Sequence, residues 1–199
     1  MNLQTDSVIA DIGAGTGISA KIFLENGNEV FGVEPNEAMR EAAKEFLQDF
    51  SNFHVINGTA ENTTLDENRV DIIIAAQAFH WFEAEKTRME FRRILKGNGF
   101  VALIWNERQT DSNEFLREYE KFLLEFGTDY KEVRHEKVTN EIISDFFQSD
   151  FREKVFANSQ NFDFAGLRGR VLSSSYMPTE EHPRFSEMEK QLRQLFTRY

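Results

Sequence analysis

Five short apolar runs, each separated from the next by a stretch with helical spacing, constrain this chain more than any other feature. Val8 to Ile12, Val30 to Val33, Phe53 to Ile56, Val70 to Ala76 and Phe100 to Trp105 are too short for helices, rich in Val, Ile and Phe, and bounded by Gly, Asn or Asp. They read as strands. Runs apolar on both faces, alternating with helices, predict a parallel sheet with right-handed crossovers and helices on both sides, an α/β architecture of the doubly wound, Rossmann-like kind. Between the first two strands, Ile18 and Ile22 share a helix face, and Asn26-Gly27 signals its end. The next helix opens at Asn36 after Pro35, with Met39, Ala43, Phe46 and Leu47 as its inner stripe. A third carries Phe91, Ile94 and Leu95 before a turn at Lys96-Gly97-Asn98-Gly99.

After Asn106 the pattern shifts to longer helices. Asp111 with Glu114 has the spacing of a capping box, and Phe115, Tyr119, Phe122, Leu123 and Phe126 then recur as a core stripe. A shorter helix around Ile142 to Phe147 precedes a polar edge strand from about Val155 to Phe164. Leu167 to Ser175 and Phe185 to Tyr199 are again helical in pattern. Nothing resembling a linker divides the chain, so residues 1–199 are expected to form a single domain, with a core over 1–107 and a helical cap plus edge strand over 108–199.

Composition narrows the functions open to such a fold. The 199 residues are 40% hydrophobic and 29% charged, enough for a real core. A net charge of −11 repels phosphate backbones, and no basic patch overrides it, so nucleic acid is not an expected partner. Cysteine is absent, and His54, His80, His135 and His182 have no zinc-ligand spacing, so no metal is expected. No apolar run reaches the roughly 18 residues of a membrane span, and the start, MNLQTDSVIADIG, lacks the layout of a signal peptide. The expectation is a soluble, cytoplasmic protein.

The strongest local signal is VIADIGAGTG, Val8 to Gly17. A strand running into Gly13-x-Gly15-x-Gly17 at the start of a helix lets the backbone turn tightly and approach a ligand that faces the helix N-terminus. The dinucleotide fingerprint G-x-G-x-x-G needs glycine where this chain has Ile18, so the spacing departs from it. Asp11 stands two residues before the first glycine, unfavourable beside a pyrophosphate and favourable beside a cation. A surface turn with a solvated Asp would explain the same residues. Glu34 ends the second strand, where a carboxylate suits the two hydroxyls of a ribose.

With DIGAGTG, VEPNEAM, NGTAENTTL, AAQAFHWF and RRILKGNGFVALIWNER in view, the chain resembles the class I S-adenosylmethionine-dependent methyltransferases over nearly all its length. The resemblance implies S-adenosylmethionine as cofactor. It implies that Gly13, Ala14, Gly15 and Gly17 form the loop lining its methionine part, with Asp11 near the ammonium. Glu34 would hold the ribose, Pro35 or Asn36 would flank the adenine, and Thr59, Ala60 and Glu61 would close over that ring. Many family members have Asp where this chain has Thr59, which leaves a backbone contact from Ala60. Gln77, ending the fourth strand, would face the methionine portion, or simply cap its strand. A sulfonium is already an activated methyl donor, so the protein has mainly to align a nucleophile and exclude water.

AAQAFHWF and GRVLSSSYMP are similar, more narrowly, to small-molecule methyltransferases of the trans-aconitate type. Such enzymes cover the cofactor with helices, for which Asn106 to Phe126 and Leu167 to Met177 are the candidates. Ser175 and Tyr176 would offer hydroxyls to an acceptor pocket, or only cap and pack their helix. Arg108, Arg168 and Arg170 would hold an acidic acceptor, unless they are merely solvated. Phe79, Trp81 and Phe82 are expected to wall the pocket and Asn106 to border it. His80 would be either a core imidazole or the group that deprotonates the acceptor, an unperturbed imidazole titrating near pH 6.5. A non-catalytic nucleoside- or protein-binding domain and an NAD-dependent oxidoreductase remain the alternatives. Family members usually have a helix before the first strand and a closing hairpin; here neither is expected, which leaves the fifth strand with an unpaired edge or an irregular neighbour.

Overall fold

The computed structural model describes residues 3–130, 139–174 and 176–199. The apolar runs become β1 (Val8–Ile12), β2 (Glu29–Val33), β3 (Phe53–Ile56), β4 (Val70–Ala76) and β5 (Leu95–Ile104). All pair in parallel, in the order β3-β2-β1-β4-β5. Alternation along β1 explains why both faces must be apolar. Val8, Ala10 and Ile12 join one buried cluster with Val33, Ile73, Phe91 and Ile94, while Ile9 joins another with Val30, Ile72, Ile74, Ala20 and Leu24. Asp11 shares the Ile9 face, a carboxylate set in an otherwise aliphatic layer.

The helices of this part are α1 (Ile18–Glu25), α2 (Glu37–Phe46) and α3 (Ala84–Ile94), with a 3-10 turn at Phe79–Trp81 between β4 and α3. Asn36 caps α2 as its position predicts, its side chain accepting from the Met39 amide. The expected inner faces need correction. On α1 the buried residues are Ala20 and Leu24, whereas Ile18 and Ile22 are 71% and 66% exposed. On α2, Ala43 and Leu47 are buried and Met39 and Phe46 half exposed. Contact with the sheet decides which stripe turns inward, and a small Ala lets a helix approach more closely than an Ile does. Hydrophobicity alone does not fix the face.

The predicted turn at 96–99 is a bulge inside β5, because Val70 pairs with Leu95 but Ile72 with Phe100. A Cβ at Gly99 would lie 2.7 Å from the Asp71 carbonyl oxygen, so only glycine fits the crossing. The bulge is tied down by Lys96, whose ammonium meets Asp71 at 2.8 Å, while the same carboxylate oxygen accepts the Val8 amide.

The chain divides into two compact units, Met1–Asn106 with Val138–Phe151, and Glu107–Lys137 with Arg152–Tyr199. The first adds α5 (Asn140–Phe147) to the sheet and its helices, with Phe146 packed edge-on against Phe79 and Phe91. The second is helical: α4 (Glu114–Phe126), α6 (Phe164–Leu172) and α7 (Phe185–Arg198) bury Tyr119, Phe122, Leu123, Phe126, Leu167, Val171, Met188 and Leu192 together. The stripe on α4 is core, as its spacing predicts, but the cap is Asn113, whose side chain accepts from Leu116, rather than Asp111. The strand expected from Val155 to Phe164 is absent. Residues 151–163 form neither helix nor strand, Val155 and Phe156 lie exposed, and α6 starts at Phe164 with Asp163 as its cap. Alternating polarity makes a strand only where a sheet edge accepts its hydrogen bonds. Among the described residues the sheet has five strands, and no helix is long and apolar enough to cross a membrane.

Candidate functional site

Parallel pairing places the carboxyl ends of all five strands along one rim of the sheet, where open α/β folds bind ligands. The glycine loop leaves β1 at that rim. The amides of Gly13 and Ala14 both donate to the Val33 carbonyl, at 2.9 and 3.2 Å, which folds the loop back onto the end of β2. Gly13, Gly15 and Gly17 have φ of 71°, 55° and 84°, left-handed values that an L side chain resists. They differ in what surrounds them. A Cβ on Gly13 would sit 2.6 Å from that of Ala78, whereas one on Gly15 would meet nothing within 4 Å. Gly13 is thus needed by the fold, and Gly15 opens onto free space.

Glu34 closes this loop from the other side. One carboxylate oxygen accepts the Gly15 amide at 3.0 Å and the other the Asn36 amide at 2.9 Å. The Arg40 guanidinium donates to the carbonyls of Glu34 and Pro35, fixing the bend into α2. Asp11 lies behind the loop with no exposed surface. Its Oδ2 accepts the Ser19 hydroxyl at 2.6 Å, and its Oδ1 is buried without a hydrogen-bond partner among the described residues. Burial pushes the carboxyl up to about 6; the Ser19 hydroxyl and the Ala20 amide oppose this, and the Glu34 charge adds to it.

Beyond β3, Thr59 and Asn62 exchange backbone hydrogen bonds and present Ala60-Glu61 at the tip of a tight turn, with Ala60 buried. This turn is bolted to α3 twice. Glu61 accepts the Glu83 amide at 2.9 Å and approaches the Thr87 hydroxyl, so it caps the start of α3, where Glu83 contributes no side-chain cap. Burial alone would raise the Glu61 carboxyl, but the Glu83 amide and the hydroxyls of Thr59 and Thr87 outweigh it and hold it below its ordinary range. From α3, Glu90 reaches back to the amide and hydroxyl of Thr63 at 2.8 and 2.5 Å and pairs with Arg93 at 2.8 Å. The Arg93 guanidinium, helped by Thr63, holds Glu90 down at about 2 in spite of burial. The sequence shows Glu90 and Arg93 only as neighbouring charges on a helix; that they serve the turn at Thr63 depends on a contact 27 residues away.

Gln77 follows β4 with φ 57°, its amide donating to the Ile104 carbonyl. A left-handed glutamine costs on the order of 1 kcal/mol, and here it turns the chain so that Ala78 packs under Gly13. The aromatic run that follows divides by the period of the 3-10 turn. Residues three apart share a face, so Phe79 and Phe82 turn the same way and meet edge to face, and Phe82 meets Phe91 in the same manner. Trp81 is 75% exposed and His80 half-buried beside it, the two rings 4.8 Å apart. Phe79 thus joins the core, and Phe82 is half-buried against it.

Asn106 lies exposed two residues past β5. Arg108 and Tyr176 belong to the helical unit. Arg108 pairs with Glu120, donates to the Tyr130 hydroxyl at 2.8 Å and lies over the Tyr119 ring. Arg168 is held by Glu189 at 2.5 Å and Glu180 at 3.2 Å. Tyr176 packs against Tyr130, and its carbonyl accepts the Thr128 amide. Ser175 and His135 lie outside the described residues. Among the described residues no group of three His, Asp or Glu is arranged to hold a metal ion.

Residues 10–103 match the methyltransferase domain family. An uncharacterized methyltransferase-like protein of Schizosaccharomyces pombe is 32% identical over 128 residues, 64% of this chain and 48% of that protein. A solved structure from Anabaena variabilis, provisionally named a methyltransferase of an antibiotic biosynthesis pathway, is 30% identical with a TM-score of 0.58 and covers 74% of this chain and 57% of its own. One from Methanococcus maripaludis, provisionally named an S-adenosyl-L-methionine-dependent methyltransferase, shares the fold at a TM-score of 0.57 and 20% identity, covering 73% and 67%. The chain spans about half or less of the length of the curated relatives it matches first.

Proposed function

We propose, from the match of residues 10–103 to the methyltransferase domain family, that the chain is an S-adenosylmethionine-dependent methyltransferase acting on a small-molecule acceptor. The observation that carries this reading is the pairing of Glu34 with an open glycine loop. Its carboxylate already bridges the Gly15 and Asn36 amides, and beyond Gly15 there is room for a ligand. An unpartnered, buried Asp11 oxygen beside the same loop fits a cationic amine and fits a pyrophosphate poorly. When bound, S-adenosylmethionine supplies a methyl group already activated on a sulfonium.

The chain's own residues hold and orient. Glu34 accepts the ribose hydroxyls, with Pro35 and Asn36 beside the adenine. Gly13, Ala14, Gly15 and Gly17 bring backbone against the methionine part, and Asp11 balances its ammonium. Thr59 and Ala60 offer backbone to the adenine; Glu61 stands with them in the turn, although its side chain is engaged with α3. Gln77 and Asn106 border the reacting end. His80, half-buried on the turn after Gln77, takes the acceptor's proton. General-base assistance is worth about 10²–10⁴-fold in rate, so His80→Gln should keep cofactor affinity and lose turnover by about that factor.

Of the three arginines that would suit an acidic acceptor of the trans-aconitate type, Arg108 and Arg168 are paired with carboxylates and Arg170 lies exposed. Screening a metabolite library for formation of S-adenosylhomocysteine tests the reading: product dependent on one acceptor and lost in His80→Gln supports it. Tight binding with no turnover on any acceptor would favour the non-catalytic alternative.

A further inference from the structure

We propose that Ser19 is a positioning residue for cofactor binding: its hydroxyl fixes one oxygen of Asp11, the other is left for the cofactor's cationic amine, and Asp11 gives up a proton to solvent as that ion pair forms. The inference rests on the methyltransferase reading and deepens it.

Asp11 is buried between the sheet and α1, two residues before the glycine loop. Its register partners are Gly32 on β2 and Ile74 on β4, neither able to titrate, and the sheet layer around it is Ile9, Ile72 and Ile74. From α1 it receives the Ser19 hydroxyl and the Ala20 amide, and the charge acting on it is that of Glu34 at the end of β2. A carboxylate oxygen buried there with no partner is unfavourable. Burial therefore pushes the carboxyl up to about 6, and below that pH the free protein keeps the proton. An ammonium at Oδ1 removes the reason to keep it. The O–H bond of Asp11 breaks, its proton goes to solvent, and carboxylate and ammonium pair. Ser19 makes the exchange possible: a hydroxyl on Oδ2 favours the charged form and fixes the carboxylate with Oδ1 left unpartnered.

Binding then depends on pH with a definite sign. Affinity rises as pH rises through 6, by about tenfold from pH 5 to 7 for a single coupled proton, and levels off above that. The test is calorimetric titration of S-adenosylhomocysteine in paired buffers of different ionisation heat, which counts protons released. Wild type should release most of a proton at pH 5.5 and almost none at pH 8. Asp11→Asn has no proton to give and should lose the release at pH 5.5. Ser19→Ala removes a group that favours the charged form, so its release should persist to higher pH. A merely structural Ser19 would lower stability and leave the proton count unmoved.

Equal release from wild type and Asp11→Asn, or an unshifted profile in Ser19→Ala, overturns the inference while leaving the methyltransferase reading intact. Absence of binding by wild type at both pH values overturns the two together.

Discussion

Asp11 and Glu90 are both carboxylates buried in the sheet-bearing unit, and their surroundings are opposite. Glu90, between α3 and the turn at Thr63, has its acceptors filled by an amide, a hydroxyl and a guanidinium, and titrates at about 2. Asp11, behind the glycine loop, has one oxygen filled and one empty, and titrates at about 6. Burial costs both; only partners decide the sign. A saturated carboxylate holds the architecture, here clamping the turn that carries Thr59 to Glu61. An unsaturated one beside an open loop is a place for something to bind.

The comparison breaks first if Glu90 proves dispensable. Glu90→Ala leaves the Thr63 amide and hydroxyl without an acceptor, and chemical denaturation should show a loss of about 2–4 kcal/mol at neutral pH. Because its folded titration lies below the ordinary 4.5, the Glu90 contribution is present above that pH and disappears as pH falls toward 2. Asp11 runs the other way. Its folded titration is raised from 3.8, so its contribution is favourable below 3.8 and lost as pH rises through 6. Stability measured from pH 3 to 7 should therefore fall by about 3 kcal/mol relative to Asp11→Asn. Parallel pH profiles for the two would dissolve the contrast. A smaller effect sharpens it. Glu61→Ala removes a cap from α3 and should cost about 1 kcal/mol, with little change in cofactor affinity if the side chain only anchors its turn.

The sheet was legible because burial on two faces leaves an unmistakable run, as in Val70 to Ala76, and because Gly13 to Gly17 and Asn36 act through local backbone geometry. What depends on a distant neighbour was not legible. Nothing in EFRR says that Glu90 will meet Thr63, and nothing in AFHWF says that a 3-10 turn will send Phe79 and Phe82 inward together. The exposure of Ile18 and Ile22 belongs here too, since the sheet, not the helix, selects the buried stripe. Arg108 and Arg168 read as free cations in sequence and are ion-paired through Glu120 and Glu189. The glycine loop could be read from its own residues; the clamp on the turn at Thr63 could not.

Titration calorimetry of S-adenosylhomocysteine against wild type and Glu34→Ala tests the central claim most directly. Glu34 joins the glycine loop to the start of α2 and is the acceptor assigned to the ribose. The account predicts binding to wild type, weakened in the variant by about 1.5–3 kcal/mol, the range for hydrogen bonds to a charged group. Unchanged affinity in Glu34→Ala, or tighter binding of NAD by wild type, would contradict it.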